Sequence, residues 1–149
     1  DYFVQDGVIP RTQLVRVLRE IEALSEKYGY RIANVFHAGD GNLHPLILYD
    51  NSVPGAFHQV EELGGEILKL CVEAGGSISG EHGIGADKNC YMPDMFSETD
   101  LETMKWINQV FNPKGLANPG KVFPTPRTCG EAANAKVQIA KKVEGAEVF

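Results

Sequence analysis

Tyr30-Arg-Ile-Ala-Asn-Val-Phe-His-Ala-Gly-Asp-Gly-Asn-Leu-His-Pro-Leu-Ile-Leu-Tyr49 is the stretch that decides how this chain folds. Its arms, Tyr30 to Phe36 and Leu43 to Tyr49, are mostly apolar. They flank Ala-Gly-Asp-Gly-Asn, which reads as the glycine-rich loop of a hairpin. Asp40 fits a turn former better than a ligand. Upstream, Leu14, Val15, Val17, Leu18, Ile21, Leu24 and Tyr28 recur at helical spacing, with Thr12 as candidate N-cap and Gly29 as the stop. Residues 1–9 read as a strand that Pro10 ends. Downstream, a second amphipathic helix spans roughly Pro54 to Ala74, carrying Phe57, Val60, Leu63, Ile67, Leu70 and Cys71. Gly75-Gly76 breaks it, and Ser77-Ile-Ser forms a short strand leading into Glu81-His82.

The order is β-α-β-β-α-β. This predicts an α+β fold of the ferredoxin-like kind, an antiparallel sheet with two helices on one face. A third helix follows, opened by a capping box of Ser97 and Asp100, with Leu101, Met104, Ile107 and Phe111 as its buried stripe and Asn112-Pro-Lys-Gly as its end. From Asn118 to Pro126 the chain is extended and turn-rich. Residues 1–126 are expected to form the domain, and 127–149 a mobile tail or weakly docked helix.

At 149 residues and 43% hydrophobic content, one domain with a real core is expected. Fourteen basic against 20 acidic residues give a formal net charge of −6. Such a field repels phosphate backbones, so no nucleic-acid partner is expected. No apolar run reaches the roughly 20 residues that cross a bilayer. The chain opens on Asp1 and enters a strand at once, which reads as a piece of a longer protein. Cys71, Cys90 and Cys129 are odd in number and widely spaced, fitting neither a disulfide framework nor a paired-cysteine metal site. A reducing, cytoplasmic setting is favoured.

Chemistry concentrates in two glycine-rich segments, His37 to His44 and Gly80 to Gly85, which hold three of the four histidines. His37 and His44 flank the hairpin loop, and imidazoles brought together across two strands can share one metal. The alternative is a pair of loop histidines bonding the turn. Glu81 would complete a two-histidine, one-carboxylate set, which suits zinc, iron or manganese and leaves positions open. The alternative there is a capping Glu beside a surface His. Neighbours on a regular strand point to opposite sides, so a bend at the glycines is needed if Glu81 and His82 are both to serve. Neither segment has the dinucleotide-binding glycine order, and no Gly-Lys-Ser/Thr sequence marks a phosphate loop. His58 reads as a surface residue and Trp106 as core or interface.

His-x-Gly-Asp-Gly-Asn-Leu-His, then Gly-Glu-His-Gly-Ile-Gly-x-x-Lys, then Asn-Pro-x-Gly-x-x-Asn-Pro-Gly-Lys resembles the C-terminal domain of FAD-linked 2-hydroxy-acid oxidases and dehydrogenases, flavoproteins of the vanillyl-alcohol-oxidase type. The flavin-bearing subunit of bacterial glycolate oxidase is the nearest kind, with D-lactate and D-2-hydroxyglutarate dehydrogenases as relatives. The likeness runs from about residue 2 to residue 124. It implies that His37, His44 and Glu81 bind a divalent metal, zinc, and that His82 is the general base. It also implies substrate contacts from Asn42 and Lys88, and a reach toward the flavin domain from Asn118. The implied partners are a small 2-hydroxy acid, the FAD-binding domain of the parent chain, and further oxidase subunits or a second copy. Through such subunits the protein would lie peripheral to the inner membrane. Nothing here corresponds to the large FAD-binding domain, so the isolated chain is expected to be inactive. Two other readings stay open: a free-standing metalloenzyme (zinc hydrolase or non-haem iron), and a non-catalytic ferredoxin-like binding module.

Overall fold

A computed structural model describes residues 1–124. Expectations for the tail, and for Cys129, lie outside the described residues. The quoted hairpin forms as β3 (Arg31–His37) and β4 (Asn42–Leu48), in antiparallel register from Arg31 opposite Leu48 to His37 opposite Asn42. The amides of Asp40 and Gly41 both donate to the His37 carbonyl at 3.0 Å, and Gly41 takes a φ of +73° that suits glycine.

β4 is the centre of the sheet. Its other edge receives β1 (Tyr2–Val4) and β2 (Gly7–Val8), both antiparallel. The single strand expected over residues 1–9 is therefore two, parted at Gln5-Asp6. The cause is Asp6, whose carboxylate turns inward to partners described below. The closing strand at Ser77 is reduced to one antiparallel bridge with Val8, whose amide and carbonyl exchange 2.9 Å bonds with those of Ser77. Spatial order is thus Ser77, β1/β2, β4, β3. That is the α+β arrangement expected, with its last strand curtailed.

α1 (Leu14–Tyr28) opens from a tight turn at Arg11–Gln13 without a side-chain cap, so Thr12 does not serve as one. It closes on Gly29 at φ +74°. α2 (Ala56–Glu73) lies beside it on the same face of the sheet. Val17 and Ile21 from α1 and Val60, Leu63, Ile67 and Cys71 from α2 bury against Leu43 and Ile47 of β4. A strand alternates faces, so Asn42 and His44 project to the opposite side, the side shared with His37. This alternation is what lifts the histidines out of the core.

A second cluster joins Leu68 and Ile78 to Met92 of α3 (Met92–Met95) and Leu101 of α4 (Glu98–Phe111). The Ser97–Asp100 capping box forms as expected. Ser97→Ala should lower stability by about 1 kcal/mol, readable as a shifted urea midpoint with unchanged slope. The apolar stripe of α4 is buried only at its start. Leu101 is 7% exposed, whereas Ile107 is 57% and Phe111 86% exposed, because the helix runs past the α3 platform that supports its first turn. Trp106 is also exposed. Cys71 is a buried thiol whose pKa burial pushes up to about 12. Among the described residues no helix is long and apolar enough to cross a membrane.

Candidate metal centre

Register sets the first two candidate donors. His37 faces Asn42 and His44 faces Val35, so the histidines are diagonal rather than direct partners, a separation imidazoles still bridge. Their ring centroids lie 5.4 Å apart, edge to face. The His44 side chain is 9% exposed and that of His37 57%, so one is fixed by packing while the other stands at the rim.

The third candidate donor comes from the irregular loop after Ser77, and Asp6 shapes that loop. Its Oδ2 accepts from the Ser79 hydroxyl at 2.7 Å and from the amides of Gly80, Glu81 and His82 at 3.0, 3.2 and 3.0 Å. Burial alone would raise the Asp6 pKa, but the Ser79 hydroxyl and the three amides more than offset it and hold the group far below the usual carboxylate range. Lys88 backs the same node. Its Nζ donates to the carbonyls of Asp6 at 2.6 Å and Ile78 at 3.0 Å and lies 3.6 Å from Asp6 Oδ2. Burial pulls the Lys88 pKa down, and the neighbouring Asp6 charge opposes that.

Three amides converging on one oxygen curl the loop so that consecutive residues 81 and 82 reach the same place. Glu81 Oε1 lies 2.7 Å from His44 Nε2, 4.0 Å from His37 Nε2 and 3.8 Å from His82 Nε2. The His82 ring stacks on His44, with centroids 5.1 Å apart and planes 22° from parallel. One donor atom from each of His37, His44 and Glu81 falls within 4.8 Å of the others. Donors that each sit about 2.0–2.2 Å from a common ion lie roughly 3–4 Å apart. Small side-chain rotations therefore suffice, and two imidazoles with a carboxylate fit a first-row divalent ion.

Asn42 borders the cluster. It is 7% exposed, sits opposite His37, and its Oδ1 is buried without a hydrogen-bond partner. Gly80 packs so closely beneath it that a Cβ there would lie 2.7 Å from that oxygen. Lys88 is placed behind the loop, its ammonium turned to the Asp6 and Ile78 carbonyls. Asn118, at φ +47°, accepts from Lys121 Nζ at 3.1 Å. Its segment is tied to the site loop further along, where the Val122 amide donates to the Gly85 carbonyl at 2.7 Å. Asp6 and Ser79 are the residues that sequence reasoning missed. The available signal was Gln5-Asp6-Gly7, a polar interruption inside an otherwise apolar strand.

Comparison with known proteins places the chain in a family. Residues 1–122 match the family described as FAD linked oxidases, C-terminal domain. The chain is 55% identical over 131 residues to the glycolate oxidase subunit GlcD of Escherichia coli K12, covering 88% of this chain and 26% of that protein. It is 40% identical over 121 residues to a D-lactate dehydrogenase of Archaeoglobus fulgidus, covering 80% and 26%. Against the GlcD subunit of Bacillus subtilis it is 34% identical over 120 residues, with the same two shares. The chain thus spans about a quarter of the length of the curated relatives it matches.

Proposed function

We infer, from the premise that this chain belongs to the family of FAD linked oxidase C-terminal domains, that residues 1–126 are the substrate and metal domain of a flavin-dependent dehydrogenase for small 2-hydroxy acids of the glycolate or D-lactate kind. FAD is bound mainly by a separate N-terminal domain of the parent protein. One observation carries the reading: His37, His44 and Glu81 converge on one point of the sheet face with the His82 ring against them. A free-standing hydrolase would use the same donors, but this family is flavin-linked.

His37, His44 and Glu81 would hold the divalent metal, zinc. When bound, the metal would supply Lewis acidity toward the substrate's carboxylate and hydroxyl, and FAD would supply the two-electron acceptor for the hydride. His82 accepts the hydroxyl proton as the C2 hydrogen departs with both electrons of its bond, leaving the 2-oxo acid. Its side chain is 50% exposed, so the proton passes on to solvent. Asn42, opposite His37 on the same sheet face, orients the substrate from the end of the hairpin loop. Lys88 sets the loop from behind, and in that way bears on substrate binding. Asn118 belongs to the segment facing the flavin domain. The word subunit in the GlcD relatives' names leads us to place further oxidase subunits, or a second copy, beside this one, and through them a cytoplasmic protein peripheral to the inner membrane.

Calorimetric titration of the chain with zinc tests the metal reading. One zinc per chain is expected for the wild type, and none at micromolar zinc for the His37→Ala, His44→Ala double variant. Equal uptake by both would overturn the assignment. With an artificial electron acceptor and either acid, the isolated chain should show no turnover.

A further inference from the structure

We propose that Asp6 is a positioning residue of the metal centre, its second carboxylate oxygen holding His44 so that Nε2 is presented to the metal. The inference rests on the metal reading above and deepens it. Asp6 is 0% exposed, and its two oxygens have unequal surroundings. Oδ2 takes one hydroxyl and three amides. Oδ1 is buried with no hydrogen-bond partner and lies 4.0 Å from His44 Nδ1. A buried ionised acceptor without a donor is destabilising, so an orphan of this kind requires a partner. Nδ1 of His44 is the polar atom that faces it, and a ring shift of about 1 Å would bring the two into bonding distance.

The chemistry of the pair is directional. A histidine that ligates through Nε2 keeps its proton on Nδ1, and a carboxylate accepting that proton fixes both tautomer and ring orientation. Asp6 therefore acts on the site twice. Through Oδ2 it places Glu81 and His82 by their backbones, and through Oδ1 it orients His44. Three of the four clustered residues answer to one carboxylate contributed from the opposite end of the chain.

Asp6→Asn is the informative substitution. Four donors converge from the loop side, so the amide oxygen must face the loop and the NH₂ must face His44. That NH₂ donates to Nδ1 and forces the proton onto Nε2, the nitrogen the metal needs. Zinc titration of the 149-residue chain should show affinity about 10–100-fold weaker in Asp6→Asn, with far-UV circular dichroism unchanged. Long-range ¹H–¹⁵N spectra of the zinc-loaded wild type should show His44 protonated at Nδ1. A folded Asp6→Asn that binds zinc as tightly as wild type overturns this inference and leaves the metal reading intact. A wild type that takes up no zinc overturns both. Should Asp6→Asn fail to fold, the wild-type spectrum decides: a proton on Nδ1 sustains the proposal, and zinc on Nδ1 overturns it.

Discussion

His82→Asn, made in the complete flavoprotein inferred above, is expected to slow flavin reduction by about 100- to 10,000-fold, the range that a positioned general base contributes. That is a barrier increase of roughly 2.7–5.5 kcal/mol. The fall should appear in kcat with KM little changed, because the three inferred metal donors stay in place and substrate chelation does not pass through residue 82. The structure argues that the variant keeps its site. His82 is anchored by its backbone amide to Asp6, a bond asparagine retains, and its ring lies half-exposed on His44 rather than in the core. Stopped-flow absorbance of the flavin under anaerobic conditions reads the step directly. Reduction within threefold of wild type would remove His82 from proton transfer.

Gly41→Ala is expected to destabilise the chain by about 3–5 kcal/mol. Backbone strain and a steric clash add together. Alanine at φ +73° is strained, by roughly 1 kcal/mol or more. The clash costs more: a Cβ would lie 2.0 Å from the Ile9 carbonyl oxygen, a backbone atom that no rotamer change can move. Relieving it means opening the 2.9 Å bond from the Ile9 amide to the Gly41 carbonyl and shifting the hairpin, at about 1–3 kcal/mol or more. Out of a total stability of roughly 5–15 kcal/mol this is a large share, and the melting temperature should drop by about 10–20 °C. Gly39→Ala, two residues away with nothing within 4 Å, should stay within about 0.5 kcal/mol of wild type. Equal melting temperatures for the two variants would contradict the steric explanation.

The contrast between these two glycines shows what the sequence made legible. Gly-Asp-Gly announced a turn, and hydrophobic periodicity announced the hairpin arms and both long helices. That His37 and His44 lie near each other was readable from the turn they flank, but their diagonal register was not. Which glycine is irreplaceable was not readable, since it depends on Ile9 arriving from thirty-two positions earlier. The same holds for Asp6. A strand reading based on alternation passes over a charged residue, and its reason for being there, the amides of residues 80–82, lies far along the chain. The stripe of α4 failed for a third reason: periodicity says which residues share a face, not how far the supporting surface extends beneath it.

The Asp6 bonds to the loop join residues 73 to 76 positions apart. Helices and hairpin close on local contacts, whereas these bonds must wait for the chain from Asp6 through His82 to come together. During synthesis His37 and His44 leave the ribosome before Glu81 and His82, whose loop takes its shape only once it meets Asp6 beside β4. Order of assembly is thus built into the fold: the hairpin alone brings His37 and His44 together, and Glu81 and His82 join them only when their amides meet Asp6.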